Sequence, residues 1–178
     1  KRDLTVIVGG AKVSTKIQLI DNFIHKADNI IIGGGMAFTF MKAMGKNIGG
    51  SLLEKSMVPV ALKMINKARM KNVNLVLPID VLCSNSINSR PIKGYFPIED
   101  IPKDAIGLDI GTDTISLFRS ILSTSKTILW NGPMGVFEKK DFSKGTEELG
   151  KILSKKVLED AKVIVGGGDT AAALELFG

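Results

Sequence analysis

The sequence predicts a three-layer α/β domain, in which a mostly parallel β-sheet is covered by helices on both faces. Two observations support this fold class. Apolar runs of strand length alternate with amphipathic stretches of helix length along all 178 residues, as expected for right-handed βαβ units. Glycine-rich turns follow the apolar runs within residues 5–10, 29–35, 126–135 and 162–168. We therefore expect one Rossmann-like domain that binds its ligand at the carboxyl edge of the sheet.

The positions of the strands and helices follow from the hydrophobic periodicity. Short runs rich in Val and Ile are typical of strands buried on both faces, and apolar residues at a spacing of three and four predict helices. Parallel strands are predicted over residues 4–8, 29–32, 73–77, 127–130 and 163–165. Helices are predicted over residues 14–26, 36–44, 59–71, 115–122 and 143–157. Residues 79–102, which contain three prolines and short alternating runs, are predicted to form a small surface hairpin.

Composition and charge narrow the classes of function. The chain is 44% apolar and 24% charged, which is ordinary usage for a globular domain. No apolar run approaches the about 20 residues that a membrane span needs, and no secretory signal pattern is visible. The net charge of +6 suits an anionic ligand, but dispersed cations and 6% aromatic residues disfavour nucleic acid. The lone Cys83 forms no internal disulfide, so we expect a reducing, cytoplasmic location.

The turn after the first strand carries two lysines. Lys12 lies in the turn and Lys16 lies four residues later, so that both can reach a polyphosphate from the same helix face. The segment is not a P-loop, because it lacks the Gly-x-x-x-x-Gly-Lys-Ser/Thr pattern. Two solvated lysines beside a tight turn are the alternative interpretation.

Two further turns offer groups for other parts of a nucleotide. The three glycines at residues 33–35 leave bare backbone, against which either adenine or a closely packed helix could lie. After the fourth parallel strand, Asn131 could donate a hydrogen bond to a phosphate and Glu138 could accept from ribose hydroxyls. The alternative is an ordinary tight turn with a solvated acid.

The last glycine-rich turn bears on the type of cofactor. Residues 166–171 fit the loose Gly-x-Gly-x-x-Ala fingerprint, which favours an NAD(P)-dependent oxidoreductase. Asp169 disfavours that interpretation, because a carboxylate repels phosphate unless Mg²⁺ lies between them. The turn therefore indicates a nucleoside diphosphate or triphosphate with Mg²⁺, unless Asp169 is only a helix N-cap.

Six motifs, taken together and in this order, resemble the phosphoglycerate kinase family. They are VGGAKV (residues 8–13), IGGGMAFTF (32–40), LPID (77–80), GLDIG (107–111), WNGPMGVFE (130–138) and GGGDTA (166–171). The resemblance runs along the whole chain and covers most of the family's C-terminal, nucleotide-binding domain. It implies reversible phosphoryl transfer between 1,3-bisphosphoglycerate and MgADP, which gives 3-phosphoglycerate and MgATP in glycolysis.

The resemblance also implies roles for individual residues. Lys12 is expected to stabilise the group in transfer, Lys16 to hold nucleotide phosphates, and Asn131 to balance the migrating charge. Asp169 is expected to hold Mg²⁺. Thr170, with the backbone of the glycines before Asp169, is expected to contact phosphate. The other expected nucleotide contacts are Gly10, Ala11, Gly34, Gly35, Leu52, Gly107, Leu108, Pro133 and Val136 around the base, Glu138 on the ribose, and Gly167 and Gly168 on phosphate.

The resemblance further implies that residues 1–178 are one nucleotide-binding domain of a larger, monomeric enzyme. The family's phosphoglycerate-binding N-terminal domain, its hinge and the final strand of its sheet have no counterpart in these residues. We therefore expect this chain to bind MgADP weakly and to transfer no phosphate alone. A basic module that binds nucleic acid is a third class of function, for which the sequence offers no clustered cations.

Overall fold

The computed structural model describes residues 3–178, and these residues form two β-sheets. The strands are β1 (Leu4–Val8), β2 (Asn29–Ile32), β3 (Asn74–Val76), β4 (Asp80–Ser84), β5 (Gly94–Pro97), β6 (Ile106–Ile110), β7 (Thr127–Asn131) and β8 (Lys162–Gly166). A parallel sheet of five strands has the order β3-β2-β1-β7-β8. A smaller antiparallel sheet of three strands has the order β5-β4-β6.

Helices connect the parallel strands. They are α1 (Ile17–Phe23), α2 (Met36–Ala43), α3 (Val58–Met70), α4 (Thr112–Ser123), α5 (Lys144–Leu158) and α6 (Gly168–Phe177). Short 3₁₀ turns at Val13–Thr15, Lys55–Met57 and Lys140–Phe142 precede α1, α3 and α5. Within residues 3–178, none of the helices has both the length and the apolar character that crossing a bilayer would require.

The parallel sheet is covered on both faces, because alternate side chains of its strands enter two different cores. Val6 and Val8 of β1 belong to a buried cluster with residues of α1, α2 and α3. Ile7, which lies between them, belongs to a second cluster with residues of α4 and α5. This alternation follows from the period of two in a β-strand, and it confirms the predicted three-layer fold.

The order of the strands creates a switch point at the centre of the parallel sheet. From β1 the chain proceeds outward to β2 and β3 on one side, and it returns later to β7 and β8 on the other. The last residues of β1 and β7 are paired, with Val8 opposite Asn131. The turns that follow these two strands therefore diverge from one point, which is where open α/β sheets bind ligands.

The antiparallel sheet departs from the sequence prediction in two ways. Residues 79–102 do contain the expected hairpin, β4 with β5, but β4 is buried along its whole length instead of lying at the surface. The third strand, β6, was not predicted, since Gly107 and Asp109 interrupt its apolar run. Asp109 is tolerated inside this strand because backbone N–H groups satisfy its carboxylate.

The first helix also differs from its prediction. Instead of one helix over residues 14–26, the chain forms the 3₁₀ turn Val13–Thr15 and then the shorter α1. The break at Lys16 separates the glycine turn from the helix, so that the two lysines of this segment lie on a compact turn rather than on a regular helical face.

Candidate functional site

A cavity of about 470 Å³ lies at the carboxyl edge of the parallel sheet and is closed on its other side by the antiparallel sheet. This volume falls in the range of small-molecule sites. Many of the residues that the sequence analysis assigned to nucleotide binding line this cavity. They are Gly10, Ala11, Gly34, Gly35, Leu52, Gly107, Leu108, Pro133, Val136, Glu138 and Asp169.

Backbone hydrogen bonds join the glycine-rich turns into one rim. Gly10 N–H donates to the Pro133 carbonyl at 3.0 Å, and Gly34 N–H donates to the Met134 carbonyl at 3.1 Å. The carbonyl of Gly10 in turn accepts from Met36 N–H at 3.0 Å. The turns after β1, β2 and β7 are therefore fixed relative to one another before any ligand binds, which reduces the entropy lost on binding.

Two of the glycines in this rim cannot be replaced without a steric conflict. Gly34 has a φ of +69° and Gly132 a φ of +100°, a region that favours glycine. A Cβ at Gly34 would lie 2.5 Å from the Gly10 carbonyl oxygen, and one at Gly132 would lie 2.2 Å from the Gly9 carbonyl oxygen. The glycine pattern is therefore required by the close approach of the turns themselves.

The structure brings Lys16, Asn131 and Asp169 together at one end of the rim. The Lys16 ammonium donates a hydrogen bond to Oδ1 of Asn131. Burial lowers the pKa of Lys16, and the nearby carboxylate of Asp169 opposes that shift. Lys12 follows the cavity-lining Ala11 and its side chain is exposed. Three residues that are distant in sequence thus meet where β1, β7 and α6 end or begin.

The start of α6 presents bare backbone to this cluster. Gly167, with a φ of +92°, precedes the helix, and no side chain caps it. Asp169 is the second residue of α6, so the N-cap interpretation of Asp169 is wrong. A Cβ at Gly168 would have no atom within 4 Å. The first turn therefore combines free N–H groups, open space and the positive end of a helix dipole, which together favour an anion.

Two buried threonines hold the turn after β7. Thr170 of α6 is fully buried, and its Oγ1 accepts a hydrogen bond from Gly132 N–H at 2.7 Å. Thr146 of α5 is also buried, and its Oγ1 accepts from Met134 N–H at 3.0 Å. The hydroxyl of Thr170 thus has a partner inside the protein, and its predicted contact with phosphate stays a prediction.

The other end of the cavity is apolar. Leu52, Leu108 and Val136 line it, and the Ser51 hydroxyl accepts from Gly107 N–H at 2.9 Å, which pins the loop before Leu52 to β6. Other lining residues were not assigned by the sequence analysis, because most of them belong to the antiparallel sheet or to helix faces. They include Ala37, Phe38, Met41, Val81, Ile87, Ile106, Asp109 and Ile110.

Glu54 is a further residue that the sequence analysis missed. Its carboxylate accepts from the backbone N–H and from the hydroxyl of Ser14, both at 2.9 Å. Ser14 lies between the two lysines of the first turn, so Glu54 anchors the segment that carries them. No local signal could have indicated this pair, because the two residues are 40 positions apart.

The residues present fit a single Mg²⁺ ion held jointly with a ligand. Among residues 3–178 there is no cluster of three or more His, Cys, Asp or Glu side chains able to form a complete metal site. Asp169, Glu138 and Asp109 bring carboxylates to the cavity, and of these Asp169 lies near Lys16 at the start of α6. Mg²⁺ typically binds one or two protein carboxylates and completes its shell with phosphate oxygens and water.

Comparison with known proteins agrees with this architecture. The fold defines a class of open α/β domains with a crevice at the carboxyl ends of parallel strands. A family model described as phosphoglycerate kinase matches residues 1–178. The chain therefore belongs to the phosphoglycerate kinase family.

Individual relatives are similar along nearly the whole chain. It is 45% identical over 179 residues to the phosphoglycerate kinase of Thermosipho africanus, covering 100% of this chain and 44% of that protein. It is 52% identical over 172 residues to that of Lactobacillus delbrueckii subsp. bulgaricus, covering 97% and 41%. The structure of phosphoglycerate kinase from Coxiella burnetii superimposes with a TM-score of 0.93 at 42% identity, covering 99% of this chain and 45% of that one.

Two consequences follow from the comparisons. The chain spans less than half the length of the curated relatives it matches. The oxidoreductase alternative is not supported, because the matching family and the similar structure are both kinases.

Proposed function

We propose that residues 1–178 form the C-terminal, nucleotide-binding domain of a phosphoglycerate kinase. The whole enzyme transfers a phosphoryl group reversibly between 1,3-bisphosphoglycerate and MgADP, and it acts in the cytoplasm as a monomer in glycolysis. Phosphoglycerate binds to a separate N-terminal domain that these residues do not include. The chain described here supplies the site for MgADP and MgATP and has no nucleic-acid or membrane partner.

The convergence of charge at one end of the cavity carries this proposal. Lys16, Asn131 and Asp169 lie together beside the uncapped start of α6, and Asp169 also lines the cavity. The opposite end is apolar and is lined by Leu52, Leu108 and other carbon-rich groups. A nucleoside diphosphate has the same division into a charged end and a flat, weakly polar base, so it fits the cavity in one orientation.

The chemistry asks for charge and position rather than for a proton acceptor. A terminal oxygen of ADP, which is already an anion, attacks the phosphorus of the acyl phosphate. A new P–O bond forms as the bond to the acyl oxygen breaks, and the electron pair leaves with the carboxylate of 3-phosphoglycerate. Because the transition state is loose and carries spread negative charge, catalysis depends mainly on electrostatic stabilisation.

Each group at the charged end has a part in that stabilisation. Lys16 holds nucleotide phosphates, and Lys12, on the exposed side of the same turn, reaches the group in transfer. Asn131 orients Lys16 through their hydrogen bond and balances the migrating charge. The backbone N–H groups of Gly167 and Gly168, at the start of α6, donate hydrogen bonds to phosphate oxygens. A Mg²⁺ ion bound at Asp169 supplies further positive charge on the phosphates.

The apolar end positions the nucleotide. Adenine lies against the backbone of Gly34 and Gly107 and between the side chains of Leu108 and Val136. Glu138 is exposed at the cavity and accepts hydrogen bonds from the ribose hydroxyls. These contacts are uniform in the ground state and the transition state, so they contribute to affinity rather than to the rate of transfer.

A calorimetric titration tests the proposed ligand. ADP is titrated into the chain with Mg²⁺ and again with a chelator, and NADH is titrated as the competing ligand class. We expect measurable binding of MgADP, at least tenfold weaker binding of ADP without the metal, and none of NADH. Binding of NADH in preference to MgADP would overturn the proposal.

A coupled assay tests whether phosphoryl transfer needs the separate N-terminal domain. We expect no ATP formation from 1,3-bisphosphoglycerate and MgADP with these 178 residues alone, because they bring no site for the second substrate. Turnover close to that of a full-length enzyme would contradict the assignment of the two substrates to separate domains.

A further inference from the structure

Asp109 is a buried carboxyl group in the wall of the cavity for which the proposed chemistry has no use. It lies on β6, is 4% exposed and lines the cavity. Its Oδ1 accepts a hydrogen bond from Ile110 N–H and its Oδ2 accepts one from Gly145 N–H, both at 2.8 Å. Burying a carboxyl group is costly even with such partners, so its place in this wall calls for a physical reason.

Two glycines, Gly135 and Gly145, pack so closely against the carboxyl group of Asp109 that neither position has room for a side chain. A Cβ at Gly135 would lie 2.5 Å from Oδ1 of Asp109, and a Cβ at Gly145 would lie 2.4 Å from the same atom. Gly135 belongs to the turn after β7, and Gly145 to the first turn of α5. The carboxyl group therefore fills the point at which β6, this turn and α5 meet.

This meeting point lies next to the apolar end of the cavity. Leu108 precedes Asp109 on β6, and Val136 follows Gly135 on the turn after β7. The N–H of Val136 donates to the Leu108 carbonyl at 2.9 Å. Both side chains line the cavity, and both are assigned to the base in the proposed function.

We propose that Asp109 is a positioning residue for nucleotide binding, which ties β6 to the first turn of α5 and packs against Gly135, and thereby holds Leu108 and Val136 in the positions that the base requires. The inference rests on the proposed function, because it assumes that the cavity binds MgADP. Asp109 touches no reacting group and acts only through the backbone of its neighbours Ile110, Gly135 and Gly145.

Charge makes this positioning sensitive to pH. Burial raises the pKa of Asp109 to about 7, against the lowering effects of its two backbone hydrogen bonds and of Lys144 on α5. Glu138, on the turn after β7, is the other charged group at the same end of the cavity. An ionised carboxylate accepts stronger hydrogen bonds than a neutral acid. The ionised form of Asp109 therefore holds the N–H groups of Ile110 and Gly145 more firmly than the neutral acid does, although burial of its charge lowers the stability of the folded chain.

The chain offers a matched control in Asp80 of β4. Asp80 is 6% exposed, and its carboxylate accepts from the N–H groups of Asp113 and Thr114 at the start of α4, at 3.2 and 2.8 Å. A Cβ at Gly111 would lie 2.1 Å from its Oδ2. Asp80 is thus buried, tied to a helix start and cradled by glycine like Asp109, but it does not line the cavity.

The experiment compares MgADP dissociation constants of the wild type, Asp109→Asn and Asp80→Asn at pH 6 and pH 8. We expect Asp109→Asn to weaken binding about tenfold at pH 8, the loss of one charge-assisted hydrogen bond, and by less at pH 6. Titration of ADP itself cancels in the ratio of variant to wild type. Asp80→Asn should stay within about twofold of the wild type at both pH values, since its hydrogen bonds lie outside the cavity.

Three results would overturn the inference. They are equal affinities for Asp109→Asn and the wild type, a penalty that is the same at both pH values, or an equal penalty for Asp80→Asn. If the wild type binds no MgADP, the proposed function fails and this inference fails with it. A wild type that binds while Asp109→Asn binds equally well overturns the inference alone.

A second measurement needs no variant at all. The carboxyl carbon of Asp109 is titrated by NMR in the wild-type chain, with and without MgADP. Because coupling between two sites is reciprocal, bound nucleotide should lower the pKa of Asp109. An unchanged pKa would overturn the inference even if Asp109→Asn failed to fold.

Discussion

The two walls of the cavity are built by different means. The wall on the parallel sheet consists of glycine turns joined by backbone hydrogen bonds, and it carries the charged groups Lys16 and Asp169. The wall on the antiparallel sheet consists of apolar side chains such as Leu108, with the buried Asp109 behind them. The first wall, which we call the charged wall, provides charged side chains and free N–H groups. The second, which we call the shape-forming wall, provides a packed apolar surface. Substitutions in the two walls should therefore change different quantities.

The largest effect is expected for Asp169→Ala on the charged wall. Loss of the carboxylate that we propose to hold Mg²⁺ should weaken MgADP binding about 10- to 100-fold, as for other interactions with a charged group. It should also abolish the difference between ADP with and without the metal. Calorimetry at fixed ionic strength measures both quantities.

The matched control for Asp169 is Glu175→Ala, an exposed acid on the same helix that does not line the cavity. It removes the same charge from the chain, so a general electrostatic effect would appear in both variants. Retention of full magnesium dependence in Asp169→Ala would contradict the assignment of the metal to this residue.

A second prediction contrasts glycines of the two walls. A Cβ at Gly107 on β6 would lie 2.2 Å from Cζ of the buried Phe38. We expect Gly107→Ala to lower the free energy of unfolding by about 1–3 kcal/mol through overpacking. Urea denaturation measures this change.

Gly168 provides the comparison, because a Cβ there would meet no atom within 4 Å. Gly168→Ala should change the free energy of unfolding by no more than about 0.5 kcal/mol. Equal destabilisation by both substitutions would contradict the difference in packing between Gly107, which lies against Phe38, and Gly168, which lies in open space.

A third prediction concerns the hydroxyl of Thr170, which supports the charged wall from within. Thr170→Val keeps the volume of the side chain but removes the acceptor for the buried Gly132 N–H. An unsatisfied buried donor costs about 1–3 kcal/mol, and thermal or urea denaturation should record a loss of that size. Thr170→Ser retains the hydroxyl and should recover most of the stability; equal losses in both variants would show that the methyl group, not the hydrogen bond, matters.

A further effect, visible as a difference between two pH profiles, is expected from Asp109 on the shape-forming wall. Burial raises the pKa of Asp109 in the folded chain to about 7, from an ordinary value of 3.8. Between these values the folded state binds a proton that the unfolded state has released, so stability from this group is greatest below about pH 4 and falls as the pH rises to about 7. The melting temperature of the wild type should fall relative to that of Asp109→Asn as the pH rises from 4 to about 7, and the difference should level off above that pH. A constant difference would contradict it.

The sequence predicted the charged wall better than the shape-forming wall, and the reason is physical. Glycine turns after buried parallel strands are local signals, and their common edge follows from the fold class. The strands of the parallel sheet were placed to within a few residues for the same reason. By contrast, β6 escaped prediction because Asp109 breaks its apolar pattern, and its acceptance depends on the N–H of Gly145, distant in sequence.

Long-range side-chain contacts were also beyond prediction from single positions. The hydrogen bonds from Ser14 to Glu54 join residues 40 positions apart, and that from Gly132 to Thr170 joins residues 38 apart. Neither pair has a spacing that a local pattern could reveal. The family resemblance named Thr170 as a phosphate contact, but only the structure gives its hydroxyl a partner within the protein.

A crystal structure of the chain with MgADP would test the central claim most directly. We expect adenine beside Gly107 and Leu108, the terminal phosphate at the first turn of α6, and the metal at Asp169. A nucleotide bound outside this cavity, or inside it with the base against Asp169 and the phosphates against Leu108, would contradict the account.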